Sequence, residues 1–362
     1  MSVSLGVGSG SCPPRALQLV AELSCDGEGL SGETPTSESE LSHIRGCDRP
    51  IYVGRDRHMD LSRVVALANG KGGVGKTSLT ANLAGEFARE GSRVLVIDLD
   101  ISGNLKLDLG LVGHPEDDAG QGIVQSIVDE EPLHIVREVR PGVDWVPGGP
   151  RLNWLLPMAY GVGPGIPAGS LGEGWRAALA RAIDDGDYDM VLIDTPPGNR
   201  ELQQMALAAA RWILVPMKSD PGSWDGLQVL GPLVAQARKE NADLEWLGIA
   251  LFGHQSTATR VRQTVMDNVA SDGDNSIPLL NASIRASEKT AQQCRIQGLL
   301  VRELVDRAGT DPSERFKALR ARRQDPSINI PEALPQSSTS MVGDYAELAA
   351  EVAARILKAE ES

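Results

Sequence analysis

The sequence predicts an α/β protein with a doubly wound, mostly parallel sheet of about seven or eight strands flanked by helices. Two observations predict this fold. Short apolar segments of strand length alternate with longer segments of helical periodicity over residues 61–308. In addition, several of the short segments run directly into glycines or carboxylates, as do strands whose carboxyl ends face a ligand. A length of 362 residues and a hydrophobic content of 41% suffice for one large core with appended segments.

Seven strands are predicted from apolar runs bounded by turn residues. They cover residues 64–68, 93–98, 143–146, 190–194, 213–217, 247–252 and 277–280. Helices are expected between most of them. The first follows residues 69–78, where Leu79, Leu83, Ala84 and Phe87 share one helical face that ends at Gly91. The Gly/Pro-rich residues 157–174 are expected to form a surface loop.

The two ends of the chain differ in composition from this alternating region. Residues 1–60 are rich in Gly, Ser and Glu, with nine acidic and five basic side chains, which predicts a flexible acidic extension. Residues 309–341 combine a charged run with a Pro/Ser-rich run and are expected to be irregular. Residues 342–362 are expected to contain a helix over 345–361, and its apolar stripe predicts packing against the core. The stripe consists of Leu348, Val352, Ile356 and Leu357.

Charge and cysteine content narrow the functional classes. A net charge of −14 argues against a surface uniformly suited to DNA, so any DNA binding must come from a local basic face. The cysteines show no metal-binding spacing and are interpreted as reduced thiols; they are Cys12, Cys25, Cys47 and Cys294. No apolar run approaches bilayer-spanning length and no export signal is evident, so a cytoplasmic protein is expected.

Residues 69–78 read NGKGGVGKTS and contain the spacing of a phosphate-binding P-loop. Gly70 and Gly75 are separated by four residues and are followed by Lys76 and Thr77. Glycines at such positions let successive backbone N–H groups turn toward an anion without Cβ clashes. Lys76 is expected to reach the outer phosphates, and Thr77 is expected to place its hydroxyl on Mg²⁺.

Carboxylates follow two further apolar runs. VLVIDLD carries Asp98 and Asp100 at its end, and MVLIDTPPG carries Asp194. Acidic side chains at the carboxyl ends of parallel strands project into the crevice where bound phosphates would lie. Asp194 has the position of a carboxylate that holds Mg²⁺ through water.

Lys71 follows the first glycine of the loop, and the resulting KGGVGKT resembles the variant Walker A motif of the ParA/MinD family of P-loop ATPases. The resemblance implies that Lys71 reaches the phosphates on a partner subunit in an ATP-sandwiched dimer, while Lys76 acts within its own subunit. DLDISGNLKLDLG resembles the switch I region of the family. It implies that Asp100 orients the attacking water and that Asp98 supports the Mg²⁺ shell.

The resemblance includes one departure from the family pattern and three further segments. Ile101-Ser102 stands where many ParA sequences have Pro-Gln, which leaves the ParA or MinD subdivision open. RWILVPMKSD implies that Pro216 and Met217 flank adenine. ATRVRQTV and SIRASEKTAQQCRIQG resemble segments that bear DNA-contacting arginines in relatives; Arg260 and Arg285 match best, with Arg262 and Arg295 nearby.

The resemblance therefore implies an ATP site that uses Mg²⁺ as cofactor. Its catalytic residues are Lys71, Lys76 and Asp100, and its metal residues are Thr77, Asp98 and Asp194. The implied ATP-binding residues are Gly72, Gly73, Val74, Gly75, Lys76, Thr77, Ser78, Pro216 and Met217.

The implied function is that of a ParA-like ATPase in plasmid or chromosome partitioning. Such a protein hydrolyses ATP to ADP and phosphate, dimerises with ATP and binds nonspecific DNA. A ParB-like centromere-binding partner stimulates hydrolysis, and the ATP-bound protein associates with the nucleoid.

A MinD-like membrane protein and a switch that positions a protein cargo are the alternatives. The acidic tip at residues 358–362 argues against membrane binding, and no membrane partner is expected. A nitrogenase-reductase-like protein is excluded because no cysteine lies between Cys47 and Cys294. A tyrosine-kinase-like tail is absent, since Tyr345 is its only tyrosine, while a dethiobiotin-synthetase-like ligase stays conceivable.

Overall fold

The computed structural model describes residues 61–162, 171–218, 220–254, 262–263, 265, 277–308, 317, 320–325 and 336–361. These residues contain an eight-stranded sheet with the order β3-β4-β2-β5-β1-β6-β7-β8. Every neighbouring pair is parallel except β3 and β4, so the predicted doubly wound, mostly parallel sheet is confirmed. The strands are β1 (Val64–Leu67), β2 (Val94–Asp98), β3 (Val136–Arg140), β4 (Val143–Val146), β5 (Met190–Asp194), β6 (Trp212–Met217), β7 (Glu245–His254) and β8 (Leu279–Arg285).

Helices cover both faces of the sheet. Apolar side chains of α3, α5, α6 and α7 form one buried cluster with one face of the strands, and those of α1, α2, α8, α9 and α10 form another on the opposite face. These helices and the short α4 are α1 (Lys76–Arg89), α2 (Leu105–Asp108), α3 (Gln121–Val128), α4 (Leu155–Ala159), α5 (Leu171–Gly186), α6 (Arg200–Ala209), α7 (Pro221–Ala237), α8 (Glu288–Gln297), α9 (Val301–Ala308) and α10 (Gln336–Glu360). Two 3₁₀ turns, Leu61–Arg63 and Pro150–Trp154, precede β1 and α4.

The central strands are uninterrupted apolar runs because both of their faces are covered. In β1, Val64 and Ala66 point into one cluster, whereas Val65 and Leu67 point into the other. All four residues are fully buried.

The sequence interpretation missed strand β3, whose residues are VREVR. It pairs antiparallel with β4 at the edge of the sheet, with Val136 opposite Trp145 and Arg140 opposite Val143. Charged residues occupy three of its five positions, and such side chains are typical of an edge strand. An apolar run, the signal used to find the other strands, is therefore missing here.

The last helix begins earlier than the sequence predicts, at Gln336 rather than residue 345. Its first turns read QSSTS, which is a weak helix-forming run. Tertiary contacts override this preference: the Ser337 hydroxyl lies 2.9 Å from that of Ser287, and the Ser338 hydroxyl lies 2.7 Å from that of Thr290. The predicted loop over 157–174 is likewise shorter, because α4 extends to Ala159 and α5 begins at Leu171.

The apolar side of α10 is buried against the sheet and α1, through Met341, Tyr345, Leu348, Val352 and Ile356. In the described ranges, none of the helices has both the length and the apolar character needed to cross a bilayer.

Candidate active site

Three adjacent strands bring the predicted site residues to one edge of the sheet. In the parallel register, Asp98 at the end of β2 lies opposite Asp194 at the end of β5, and Asp194 lies opposite Leu67 at the end of β1. The loop at 69–75 follows β1, in the middle of the sheet, where the chain connections reverse direction. Ligands of doubly wound proteins bind at such a point.

The loop conformation depends on glycine. Gly73 and Gly75 have φ angles of +74° and +98°, a region that side-chain-bearing residues rarely adopt. A Cβ on Gly75 would also lie 2.5 Å from ring carbons of Phe252. Helix α1 begins at the next residue without a side-chain cap, so its first N–H groups are available to an anion.

Lys76 is almost fully buried, with 6% of its surface exposed. Its ammonium folds back over the loop and donates to the carbonyl oxygens of Asn69 at 3.1 Å and Lys71 at 3.0 Å. Burial lowers the pKa of Lys76, and the negative charges of Asp194 and Asp100 oppose this effect. The lysine is thus held in the loop that is predicted to surround phosphates.

Asp98 is fully buried but well hydrogen-bonded. One of its oxygens accepts the Asp100 N–H at 2.9 Å, and the other accepts the Leu105 N–H at 3.0 Å, at the start of α2. Burial raises the pKa of Asp98 to about 7, although both hydrogen bonds act in the opposite direction.

Asp194 lacks comparable support. Both carboxylate oxygens are buried and accept no well-formed hydrogen bond. Burial raises the pKa of Asp194 well above its usual range, and the neighbouring Asp98 raises it further. The Thr77 hydroxyl and Lys76 are near enough to lower this pKa but do not offset the burial. A buried carboxylate whose oxygens accept no well-formed hydrogen bond is suited to binding a cation.

The donor set fits Mg²⁺ held together with a nucleotide. Within the described parts of the chain, no group of three or more His, Cys, Asp or Glu side chains is placed to bind a metal by itself. Mg²⁺ is usually bound through one or two carboxylates, water and substrate phosphates. Asp194 and the Thr77 hydroxyl are placed to supply the protein oxygens of such a site.

Asp100 has an exposed fraction of 9% and a fixed orientation. Its Oδ1 accepts both the Ser102 N–H at 2.9 Å and the Ser102 hydroxyl at 2.7 Å. Ser102, one of the residues that depart from the common ParA pattern, therefore orients the carboxylate that is predicted to position water.

Comparison with known protein families identifies the family to which the chain belongs. Residues 65–295 match the model described as CbiA, the CobQ/CobB/MinD/ParA nucleotide binding domain. The chain belongs to this family. Its match extends from β1 to α8 and includes the loop, all three carboxylates and Lys71.

Named relatives agree with this assignment. The chain is 36% identical over 188 residues to the chromosome-partitioning ATPase Soj of Thermus thermophilus, covering 52% of this chain and 68% of Soj. It is 31% identical over 233 residues to the chromosome partitioning protein ParA of Caulobacter vibrioides, covering 62% of this chain and 83% of that protein.

A solved relative carries the expected ligands. Cobyrinic acid a,c-diamide synthase from Mycobacterium smegmatis, with a bound ATP analogue and magnesium, aligns with a TM-score of 0.53 at 25% identity. The alignment covers 75% of this chain and 99% of that one. The chain is thus a member of the family that includes the ATPase Soj and ParA.

The structure adds two residues to the site that the sequence interpretation did not identify. Asn69 is fully buried; its amide donates to the Pro216 carbonyl at 2.9 Å, and its side-chain oxygen accepts the Lys71 N–H at 2.9 Å. Asp220 forms an ion pair with Lys71. An asparagine between a strand and a glycine, and an Asp-Pro pair at a helix start, were the available signals.

The predicted adenine-flanking residues lie at the end of β6. Pro216 is connected to the loop through its carbonyl, which accepts the Asn69 amide. Met217 is 2% exposed and its side chain packs in the core. Contact of these two residues with adenine stays a prediction.

Of the predicted DNA-contacting arginines, Arg260 lies outside the described residues. Arg285, at the end of β8, pairs with Asp344 of α10 through two side-chain hydrogen bonds of 2.7 Å. Arg262 donates to the carbonyl oxygens of Leu280 at 3.0 Å and Asn281 at 2.9 Å. Arg295 of α8 pairs with Asp108 at 3.2 Å.

We expect Asn69→Ala to weaken both the fold and ATP binding, because it removes the buried hydrogen bond that connects the loop to β6 and the hydrogen bond from the Lys71 N–H within the loop. Each lost bond that leaves a buried partner unsatisfied costs about 1–3 kcal/mol. Denaturant unfolding without nucleotide and a titration with ATP would measure the two effects. Asn153→Ala serves as control, since exposed Asn153 makes only a local bond to the Pro150 carbonyl; equal losses in both variants would contradict the role of Asn69.

Proposed function

We propose that this chain is a ParA-like partition ATPase. ATP with Mg²⁺ joins two copies of the chain, the dimer binds nonspecific DNA, and a ParB-like partner stimulates hydrolysis and release. The relationship to Soj and ParA, both named for chromosome partitioning, supports this proposal.

The observation that carries the proposal is the presence of two lysines with different surroundings on one loop. Lys76 is buried and turned inward, whereas the side chain of Lys71 is 38% exposed and points away toward α7. Lys76 alone suffices for a phosphate site within one subunit. Lys71 is accessible to a second copy of the chain, as its proposed contact with the phosphates of the partner subunit requires.

Within the subunit, the residues divide the work of phosphoryl transfer. The Lys76 ammonium and the free N–H groups at the start of α1 offset phosphate charge, and they are already positioned before ATP arrives. Asp194 and Thr77 would supply the oxygens that hold Mg²⁺, with Asp98 supporting its shell, and the bound ion would neutralise charge on the phosphates. Asp100, fixed by Ser102, orients the water that attacks the terminal phosphate.

The DNA surface is proposed at the exposed end of β8 and along α8. Arg285 and Arg295 have side chains that are 43% and 49% exposed. Arg285 uses its Nε and one terminal nitrogen on Asp344, and a guanidinium has further N–H groups for a phosphate. DNA binding by an acidic chain requires a local set of exposed basic side chains, and these two arginines are proposed to belong to it.

Nucleotide-dependent DNA binding tests the function. By hypothesis Asp100→Ala traps the ATP-bound dimer, so we expect this variant to retain nonspecific duplex DNA with ATP but not with ADP. Binding should weaken steeply with salt, because phosphate contacts release counterions. Arg285→Gln and Arg295→Gln should each reduce the salt slope by about 1.

Arg89→Gln is the matched control, because Arg89 is a 53% exposed, ion-paired arginine at the far end of α1. It should leave the slope unchanged. Absence of DNA binding in a protein that binds ATP and dimerises would rule out the partition function and leave a protein-cargo or membrane switch.

The membrane alternative has less support. Family members that bind membranes as peripheral proteins need an amphipathic helix with an accessible apolar face. Here the apolar face of α10 is buried on the core, and Glu360 near its end pairs with Arg63 at 2.5 and 2.7 Å.

A further inference from the structure

The loop segment that carries Lys71 lies against the first turns of α7. The Gly70 N–H donates to the carbonyl oxygen of Gly226 at 3.2 Å. The Lys71 N–H donates to Asn69, and the Lys71 ammonium pairs with Asp220, immediately before the helix. Both ends of Lys71 are thus held, its backbone by Asn69 and its side chain by Asp220.

Two glycines of α7 make this close approach possible. A Cβ on Gly222 would lie 2.6 Å from the Lys71 ammonium nitrogen. A Cβ on Gly226 would lie 2.1 Å from the Asn69 side-chain oxygen and 2.8 Å from the Lys71 backbone nitrogen. All three distances are too short for real contacts, so any larger residue at either position would displace the loop or the lysine. A third glycine of the helix, Gly231, has no atom within 4 Å of such a Cβ.

Asp220 has two functions that can be separated. As the N-cap of α7, it accepts the Ser223 N–H and the Ser223 hydroxyl, each at 3.0 Å. As an anion, it pairs with Lys71, which lowers the pKa of the Asp220 carboxyl. Capping needs only an oxygen acceptor, and asparagine supplies one about as well as aspartate. The charge is therefore not needed for the helix.

We propose that Asp220, Gly222 and Gly226 are positioning residues for Lys71, and that they hold its ammonium on its own subunit until a second copy arrives. This inference rests on the proposed role of Lys71 across the dimer. In the single chain the lysine is stored beside α7, and it must leave Asp220 before it can reach the partner's phosphates. The Asp220–Lys71 pair thus opposes dimerisation by the free energy of one partly exposed ion pair.

Chemical labelling tests the storage of Lys71 without nucleotide or dimer. The rate at which an amine-specific acylating reagent modifies Lys71 would be followed by peptide mass spectrometry. Loss of one exposed ion pair corresponds to a factor of about two to five. We expect Asp220→Asn to accelerate labelling by this factor. Gly222→Ala should also accelerate it, because the methyl group displaces the flexible end of the lysine. Gly231→Ala should match the wild type.

Self-association with a non-hydrolysable ATP analogue tests the consequence. Sedimentation should show that Asp220→Asn dimerises at a concentration about two to five times lower than the wild type. Lys71→Ala in the Asp220→Asn background should remove this advantage in dimerisation. An advantage that came from altered helix capping alone would persist in the double variant. Gly226→Ala should weaken nucleotide binding relative to Gly231→Ala.

The outcomes separate the inference from the proposed function. A wild-type chain that binds ATP and stays monomeric at all concentrations contradicts the proposed function, and the labelling rates still show whether Asp220 holds Lys71. Equal labelling of the wild type and Asp220→Asn, or equal dimerisation of the two, overturns the inference alone.

Discussion

Asp194→Asn should reduce ATP hydrolysis by about 100-fold or more and, in the nucleotide-free protein, raise the midpoint of thermal unfolding by a few degrees. The two effects have opposite signs because the carboxylate serves the loaded site and destabilises the empty one. Charged groups and metal ions around a reacting phosphate lower the free energy of the transition state by several kcal/mol, so loss of the carboxylate is expected to slow hydrolysis strongly.

The stabilising part follows from the surroundings of Asp194. Its oxygens are buried, accept no well-formed hydrogen bond, and lie next to the carboxylate of Asp98. A neutral amide of the same shape removes the repulsion and the burial of a charge. A gain of about 1 kcal/mol raises the midpoint by roughly 2–4 °C in a domain of 150–250 residues.

The pH dependence gives this prediction a second check. The folded-state pKa of Asp194 is raised, so its ionised carboxylate lowers the free energy of unfolding at high pH. This destabilisation decreases as the pH falls through the folded-state pKa, and it disappears when the carboxyl is protonated in both the folded and the unfolded state. The advantage of Asp194→Asn over the wild type should therefore be larger at pH 8 than at pH 5. Scanning calorimetry in the presence of a chelator would measure it.

Asp129→Asn is the control for removal of one negative charge, since Asp129 is exposed and follows α3. It should change neither hydrolysis nor the midpoint. If Asp194→Asn lowers the midpoint, or if its advantage grows toward low pH, then the Asp194 carboxylate does not destabilise the empty site.

The parts of the site that could be predicted from sequence are those fixed by local chemistry. The loop at 69–78 combines glycine spacing with a preceding apolar run and a following helical pattern, all within a short stretch. Asp98 and Asp194 could be placed because each ends an apolar run, and parallel strand ends meet at one edge. The structure places these groups side by side.

What the sequence could not show depends on distant contacts. Strand β3 lacks an apolar run because it lies at the sheet edge, and the first turn of α10 is held by hydroxyl contacts with Ser287 and Thr290. Asp220 is far from Lys71 along the chain, so only the fold shows that the two are paired. The order of the central strands brings them together, and no local pattern encodes that order.

A graded loss of stability is expected across three loop glycines, in the order Gly72→Ala, Gly73→Ala and Gly75→Ala. Gly72 has an ordinary backbone conformation, and a Cβ there would lie 3.6 Å from Pro197, a normal contact. Gly73 has a positive φ but open space around a Cβ, so its substitution costs only the left-handed conformation, about 1–2 kcal/mol. Gly75 combines positive φ with the Phe252 ring, which adds roughly 1–3 kcal/mol.

Denaturant unfolding of the nucleotide-free proteins would measure this series, and a double-mutant cycle with Phe252→Ala would isolate the steric part. Removing the ring should recover the added cost in the Gly75→Ala background and recover nothing in the Gly73→Ala background. Equal coupling of Phe252 to both glycines would refute the steric explanation. The cycle also bears on function, because both glycines belong to the loop that is proposed to bind the phosphates. If ATP affinity falls equally in Gly73→Ala and Gly75→Ala, backbone conformation controls binding; a larger fall in Gly75→Ala would show that β7, through Phe252, also shapes the nucleotide site.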